Sequence, residues 1–195
     1  MQIMLYRHGA TSGNLQHRYI GATDEPLCAA GIAALPPPDF SVQTVFVTPL
    51  LRTQQTAAIL FPNARQCMIQ DLAEMHFGVF ENKNYIELQH NADYAAWLAT
   101  NCTAQCPKGE SMAQFTARTC AAFAALVADA AANGEKKLHL VAHGGTAMAV
   151  LSHYAMPHRD YFDWKTPHGG AWQLCVTKSE PLCLAVLAVP ANKEE

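Results

Sequence analysis

Charged residues are scarce in this chain: Lys, Arg, Asp and Glu together make up 15% of 195 residues. Their balance is slightly acidic, with 13 basic against 16 acidic side chains and a formal net charge of −3. A general nucleic-acid binder is therefore not expected, because such proteins are usually basic. Long apolar runs are also lacking. A stretch such as residues 120–127 falls well short of the roughly 20 residues that a membrane span needs. The opening Met-Gln-Ile-Met-Leu-Tyr carries no basic n-region and meets Arg7 too soon for a secretory signal. None of the seven cysteines forms a Cys-x-x-Cys pair; Cys102 and Cys106 come closest. That pattern argues against a disulfide framework or zinc site and for free thiols in a reducing cytoplasm. What the chain does have is apolar mass. Half of its residues are hydrophobic, enough to fill a core, and its length suits one domain over residues 1–195.

Residues 2–6, 44–47 and 137–142 are short β-rich runs, each followed by a turn and a helix-like segment. Strand, turn and helix in repetition predict an α/β fold: a three-layer α/β/α sandwich around a mainly parallel sheet. Residues 171–177 and 182–189 read as a hairpin, which adds an antiparallel C-terminal strand. Residues 111–132 carry apolar side chains at helical spacing and stop at Asn133-Gly134. The triple proline at 36–38 forms a rigid loop, and residues 190–195 are expected to be a frayed polar tail. The irregular segment 74–110 should lie over the carboxyl ends of the strands, as a cap or lid.

Arg7 and His8 stand where a buried strand stops, and Gly9 allows a sharp turn there. Arg52 follows Pro49, which reads as a helix opening, so its charge opposes the helix dipole unless an anion is near. His143 precedes Gly144-Gly145 and a helical run, a geometry that holds phosphate on free backbone N–H groups. The ordinary alternatives are a solvated strand end, a snorkelling Arg and a structural His. Two Arg and two His on one sheet edge would repel each other without an anion. A tetrahedral phosphoryl group fits, gripped by Arg in a two-pronged fork. On this view Arg52→Ala would slightly stabilise the unliganded protein. Neighbouring cations would also keep a histidine neutral and nucleophilic. Glu74, set among apolar residues, would have a raised pKa suited to protonating a leaving oxygen, with Glu81 next in line.

These segments resemble the histidine phosphatase (phosphoglycerate-mutase-like) superfamily. Residues 7–14, RHGATSGN, are similar to its R-H-G-x-T-x-x-N signature. Residues 48–57, TPLLRTQQTA, are similar to S-P-L-x-R-x-x-Q-T-A, with Thr48 in place of the usual Ser. Residues 74–81, EMHFGVFE, resemble E-x-x-F-G-x-x-E, with Asn82 where a Gly often follows, and residues 143–145 match a late H-G-G. The resemblance implies that His8 takes the phosphoryl group. It implies that Arg7, Arg52 and His143 clamp the oxygens, that Asn14 and Gly144 assist, and that Glu74 is the acid. No metal and no cofactor are implied. The compact stretch after Glu74, the PKGES block at 107–111 with Phe115 and Arg118, and the GATDEPL run at 21–27 look like the phosphatase branches. Residues 75–78 and Trp97 look most like α-ribazole-5′-phosphate phosphatases of cobalamin biosynthesis.

The expected activity is thus a cytoplasmic phosphomonoesterase acting on a small phosphorylated metabolite, as a monomer or homodimer, without nucleic-acid or membrane partners. The alternatives are a sugar-phosphate phosphatase, a mutase, or a silent relative that only binds phosphorylated ligands. A metal site on the nine histidines is disfavoured, because the pocket histidines sit beside Arg rather than carboxylates. His153 and His158 read as surface groups, and Trp97, Trp164 and Trp172 as packing.

Overall fold

A computed structural model describes residues 1–190. The expected tail lies mostly outside the described residues, and its first member, Pro190, is buried. Seven strands form one sheet: β1 (Gln2–Arg7), β2 (Thr44–Val47), β3 (Arg65–Met68), β4 (Lys137–Ala142), β5 (Ala155–Met156), β6 (Ala171–Ser179) and β7 (Leu182–Ala188). Their order is β3-β2-β4-β1-β6-β7-β5. β1, β2, β3 and β4 are parallel, and β6 runs against both β1 and β7. The predicted α/β sandwich with an antiparallel C-terminal strand is what forms. β3 and β5 are not legible in the sequence. β3 is an edge strand with no fully buried residue, so it leaves no hydrophobic signal, and β5 spans only two residues.

Among the described residues the α-helices are α1 (Ser12–Leu15), α2 (Ala29–Ala33), α3 (Leu51–Leu60), α4 (Tyr85–Leu88), α5 (Ala92–Ala99), α6 (Met112–Ala132) and α7 (Gly144–Tyr154), of which α3, α6 and α7 pack on the sheet. α6 begins with a capping box, in which Ser111 Oγ accepts from Gln114 N and Gln114 Oε1 accepts from Ser111 N. It ends at Asn133 before Gly134, whose φ of 74° reverses the chain. Phe123, Leu126, Val127 and Ala130 lie on one side of α6 and pack with Ile3, Leu5, Leu138 and Leu140 of the sheet. The 21 residues of α6 are long and apolar enough to cross a membrane by length and composition. Counting uninterrupted apolar runs does not register this, because Gln114, Thr116, Arg118, Thr119 and Asp129 interrupt the run. In the fold the helix packs against the sheet.

The other sheet face carries Val45, Val47 and Val141 against Ala57, Leu60 and Phe61 of the α3 region. A third cluster gathers Met75, Phe80, Leu88, Tyr94, Trp97, Cys106 and Phe115. It gives the segment 74–110 its own small core. Trp97, Trp164 and Trp172 are all buried, and His153 and His158 are exposed.

Candidate active site

β1 ends at Arg7 and delivers His8 to the carboxyl edge of the sheet, where His8 N donates to Ala142 O at the end of β4. His8 is 3% exposed. Its Nδ1 lies 2.7 Å from the Gly9 carbonyl. A carbonyl only accepts, so Nδ1 carries the proton and Nε2 keeps its lone pair. Burial, and then the charges of Arg52 and Arg7, hold the His8 pKa well below the ordinary histidine value. Desolvation, more than the neighbouring cations, is thus the cause that favours a neutral imidazole.

His143 caps α7 and lies edge-on to His8, with ring centroids 5.2 Å apart. Its Nε2 is 2.9 Å from Thr48 Oγ1. Thr48 therefore supplies the hydroxyl that a Ser would. His143 Nδ1 is buried with no hydrogen-bond partner among the described residues. Burial and Arg52 lower its pKa strongly.

Arg52 lies in the first turn of α3 and is fully buried. Its terminal nitrogens donate to the carbonyls of Thr23 (2.8 Å), Gly21 (2.8 Å) and Ile20 (3.4 Å). The two-pronged grip foreseen from the sequence is thus directed at the 20–23 loop. Nε is its one buried nitrogen without a partner among the described residues. That loop is held in turn by Glu81. Its carboxylate accepts from the backbone N–H groups of Gly21, Ala22, Thr23 and Phe77, and from the Thr23 hydroxyl. Glu81 is a structural staple, not a spare acid. The repulsion argument for Arg52→Ala also reverses. The substitution leaves a cavity and strips three buried or part-buried contacts to carbonyls, so it should destabilise the protein by roughly 2–4 kcal/mol. Urea unfolding of the variant checks the sign.

Glu74 approaches from the segment between β3 and α4. Its Oε1 accepts from Met75 N and its Oε2 from Gly145 N, both at 2.9 Å. The Gly145 N–H at the start of α7 is therefore occupied by Glu74 rather than left for phosphate. Burial raises the Glu74 pKa, and the two backbone bonds pull it back in part. A Cβ on Gly145 would fall 2.1 Å from Glu74 Oε1, so only glycine leaves room for the carboxylate there. Asn82, two residues past Phe80, has a φ of 56°, a conformation that Asn tolerates in place of Gly.

Arg7, His8, Asn14, Glu74, Gly144 and Gly145 line one cavity of about 430 Å³; Arg52 and His143, both fully buried, are not among its lining residues. Asn14 Oδ1 accepts from Thr11 N in the capping box of α1, which fixes its amide. Tyr19, Met75, Phe77, Trp97, Met112 and Met148 give the wall an apolar side, and Arg18 and Lys165 add two cations to it. Tyr19 packs on Phe77 (5.2 Å) and Trp97 (5.6 Å), and its hydroxyl meets that of Tyr94 at 2.7 Å. His168, a site residue absent from the sequence expectations, has its ring centroid 5.7 Å from that of His8. The signal was available: His168-Gly169-Gly170 repeats the His143-Gly144-Gly145 pattern.

The four buried or half-buried histidines have a measurable consequence. Besides His8 and His143, burial lowers His139 to about 4 and His168 to about 3. In the unfolded chain each titrates near 6.5. Below that pH the unfolded state binds protons that the folded state refuses, so stability falls as the pH drops. Glu74, with its raised pKa, works in the opposite direction by holding its proton to higher pH in the fold. The four histidines outnumber it, so unfolding near pH 5 should take up protons net from these five groups. Urea midpoints measured from pH 7 to pH 5 check the slope.

The family model described as Histidine phosphatase superfamily (branch 1) matches residues 3–186. A Yersinia pestis (strain Pestoides F) protein named "Probable phosphoglycerate mutase GpmB" is 33% identical over 161 residues, covering 78% of this chain and 74% of that one. The alpha-ribazole phosphatase of Shigella flexneri superposes with a TM-score of 0.81 at 21% identity, covering 100% of both chains. A phosphoglycerate mutase from Thermus thermophilus superposes with a TM-score of 0.70 at 29% identity, covering 99% of this chain and 100% of that one.

Proposed function

Because the chain belongs to the histidine phosphatase superfamily (branch 1), we propose that it is a phosphomonoesterase working through a phosphohistidine on His8. The observation that carries this reading is the Nδ1–Gly9 contact of 2.7 Å. It leaves a neutral, unprotonated Nε2 among Arg7, Arg52 and His143. Nε2 attacks phosphorus, the P–O bond to the leaving group breaks, and protonated Glu74 gives its proton to the departing oxygen. The Glu74 carboxylate then takes a proton from water as that water attacks the phosphohistidine. Phosphate leaves and His8 is restored. Arg7, Arg52 and the polar atoms of Asn14 and His143 stabilise charge on the transferring oxygens, so the reading calls for neither metal nor organic cofactor.

The leaving group faces Tyr19, Phe77, Trp97 and three methionines. Such a wall suits a flat apolar ring system better than a bare sugar or a small carboxylate. We therefore take α-ribazole 5′-phosphate, a benzimidazole nucleotide of cobalamin biosynthesis, as the substrate. A cytoplasmic enzyme, monomeric or homodimeric, fits this reading. The alternative is a mutase, favoured by the 33% identical relative and by Arg18 and Lys165 in the cavity wall, which could meet a carboxylate. Arg18 is already engaged by Glu87 at 2.9 Å.

A panel of phosphorylated metabolites in the presence of EDTA tests the proposal. α-Ribazole 5′-phosphate should release phosphate with at least about tenfold higher kcat/KM than hexose phosphates, from loss of ring contacts in the pocket. A bisphosphate-dependent conversion of 3-phosphoglycerate to its isomer, faster than any hydrolysis, would establish the mutase instead.

A further inference from the structure

We propose that His168 is a positioning residue that aims the Arg7 guanidinium at the transferring phosphoryl group. The proposal rests on the phosphoryl-transfer reading of the site. The loop 166–170 holds Arg7 at both its backbone and its side chain. Arg7 N donates to Gly170 O at 2.9 Å, and Gly169 N lies 3.1 Å from the carbonyls of both Arg7 and His8. On the side-chain end, Arg7 Nη1 donates to Thr166 O and Arg7 Nη2 lies 2.7 Å from His168 Nε2. A guanidinium has donors only, so His168 Nε2 is the acceptor and the His168 proton sits on Nδ1.

Two fixed acceptors on one loop set the plane of the guanidinium. Gly144 bounds it from another element, where a Cβ would lie 3.3 Å from the Arg7 guanidinium carbon. The loop is itself pinned, since Trp172 Nε1 donates to Thr166 Oγ1 at 2.8 Å. Arg7 is thereby held between the start of α7 and the approach to β6, beside the nucleophile. His168 does not line the cavity. It acts on the phosphoryl group through Arg7. The arrangement requires a neutral His168: a protonated ring would lose its acceptor and set two cations against each other. Burial and the Arg7 charge keep it neutral.

The test uses calorimetric binding of inorganic phosphate to the whole protein, with folding checked by circular dichroism. His168→Phe keeps a ring but no acceptor, and should weaken phosphate binding on the order of tenfold to a hundredfold. His168→Gln keeps a carbonyl acceptor and should restore most of the loss. In an Arg7→Ala background, His168→Phe should cost nothing further, because the two residues act as a unit. Unchanged binding in His168→Phe overturns the proposal. So does a Gln variant as poor as Phe, or an equal loss on the Arg7→Ala background. Should His168→Phe fail to fold, His168→Ala takes its place in the same comparison. Failure of the unsubstituted protein to bind phosphate would instead sink the phosphoryl-transfer reading itself.

Discussion

Substituting His8 by alanine should lower kcat/KM by about four orders of magnitude or more, with the protein still folded. The size of the effect follows from the role. Without Nε2 there is no bond to phosphorus, and water would have to attack directly in a pocket arranged for an imidazole. The folding cost should be modest but not zero. His8 is 3% exposed and its ring lies within 5.7 Å of two others, so alanine leaves a small void and an unpaired Gly9 carbonyl. A loss of about 1–2 kcal/mol is expected from those terms. Steady-state kinetics on p-nitrophenyl phosphate and a urea melt of the same preparation measure the two effects. A variant that retained full activity would remove His8 from the mechanism.

The second large effect separates the acid from the clamp. Glu74→Gln keeps the shape of the side chain but has no carboxylic proton to give. With an alkyl phosphate, whose alkoxide is a poor leaving group, kcat should fall by about 10²–10⁴-fold. With p-nitrophenyl phosphate, whose phenolate departs unaided, the fall should be no more than about tenfold. Gly145→Ala should reproduce this selectivity with Glu74 itself unsubstituted, because the added methyl would lie 2.1 Å from Glu74 Oε1 and displace the carboxylate. An equal loss on both substrate classes would show that Glu74 does not protonate the leaving group. Glu81 could not take over that role, as its carboxylate is already bound by the 20–23 loop and Phe77.

The parts of the fold visible in the sequence were those with a local hydrophobic signal. β1, β2 and β4 are short buried runs that stop at glycine or proline, and α6 shows its period over many turns. β3 escaped because an edge strand of Arg-Gln-Cys-Met buries too little to show a period. The same limit applies at the site. Arg7, His8, Arg52, Glu74 and His143 each stand at a strand end, helix start or compact motif, where residue type and neighbours already constrain the chemistry. Their partners do not. Arg52 turning to the 20–23 carbonyls, and Glu81 holding that loop, depend on contacts between segments far apart in the chain. His168 meets Arg7 across 161 positions, because β6 pairs antiparallel with β1 and carries its preceding loop to the catalytic edge. A residue whose role is to orient another is invisible until that pairing is known.

A covalent bond between phosphorus and His8 is the step on which the proposed reaction turns. Rapid quench of the enzyme with a substrate labelled in its phosphoryl group, followed by peptide mapping, should find label on the peptide containing His8. The label should be lost in acid and retained in base, and it should form and decay fast enough to lie on the turnover path. Active enzyme that carries no label at any quench time, or that carries it on another residue, would overturn the phosphohistidine mechanism.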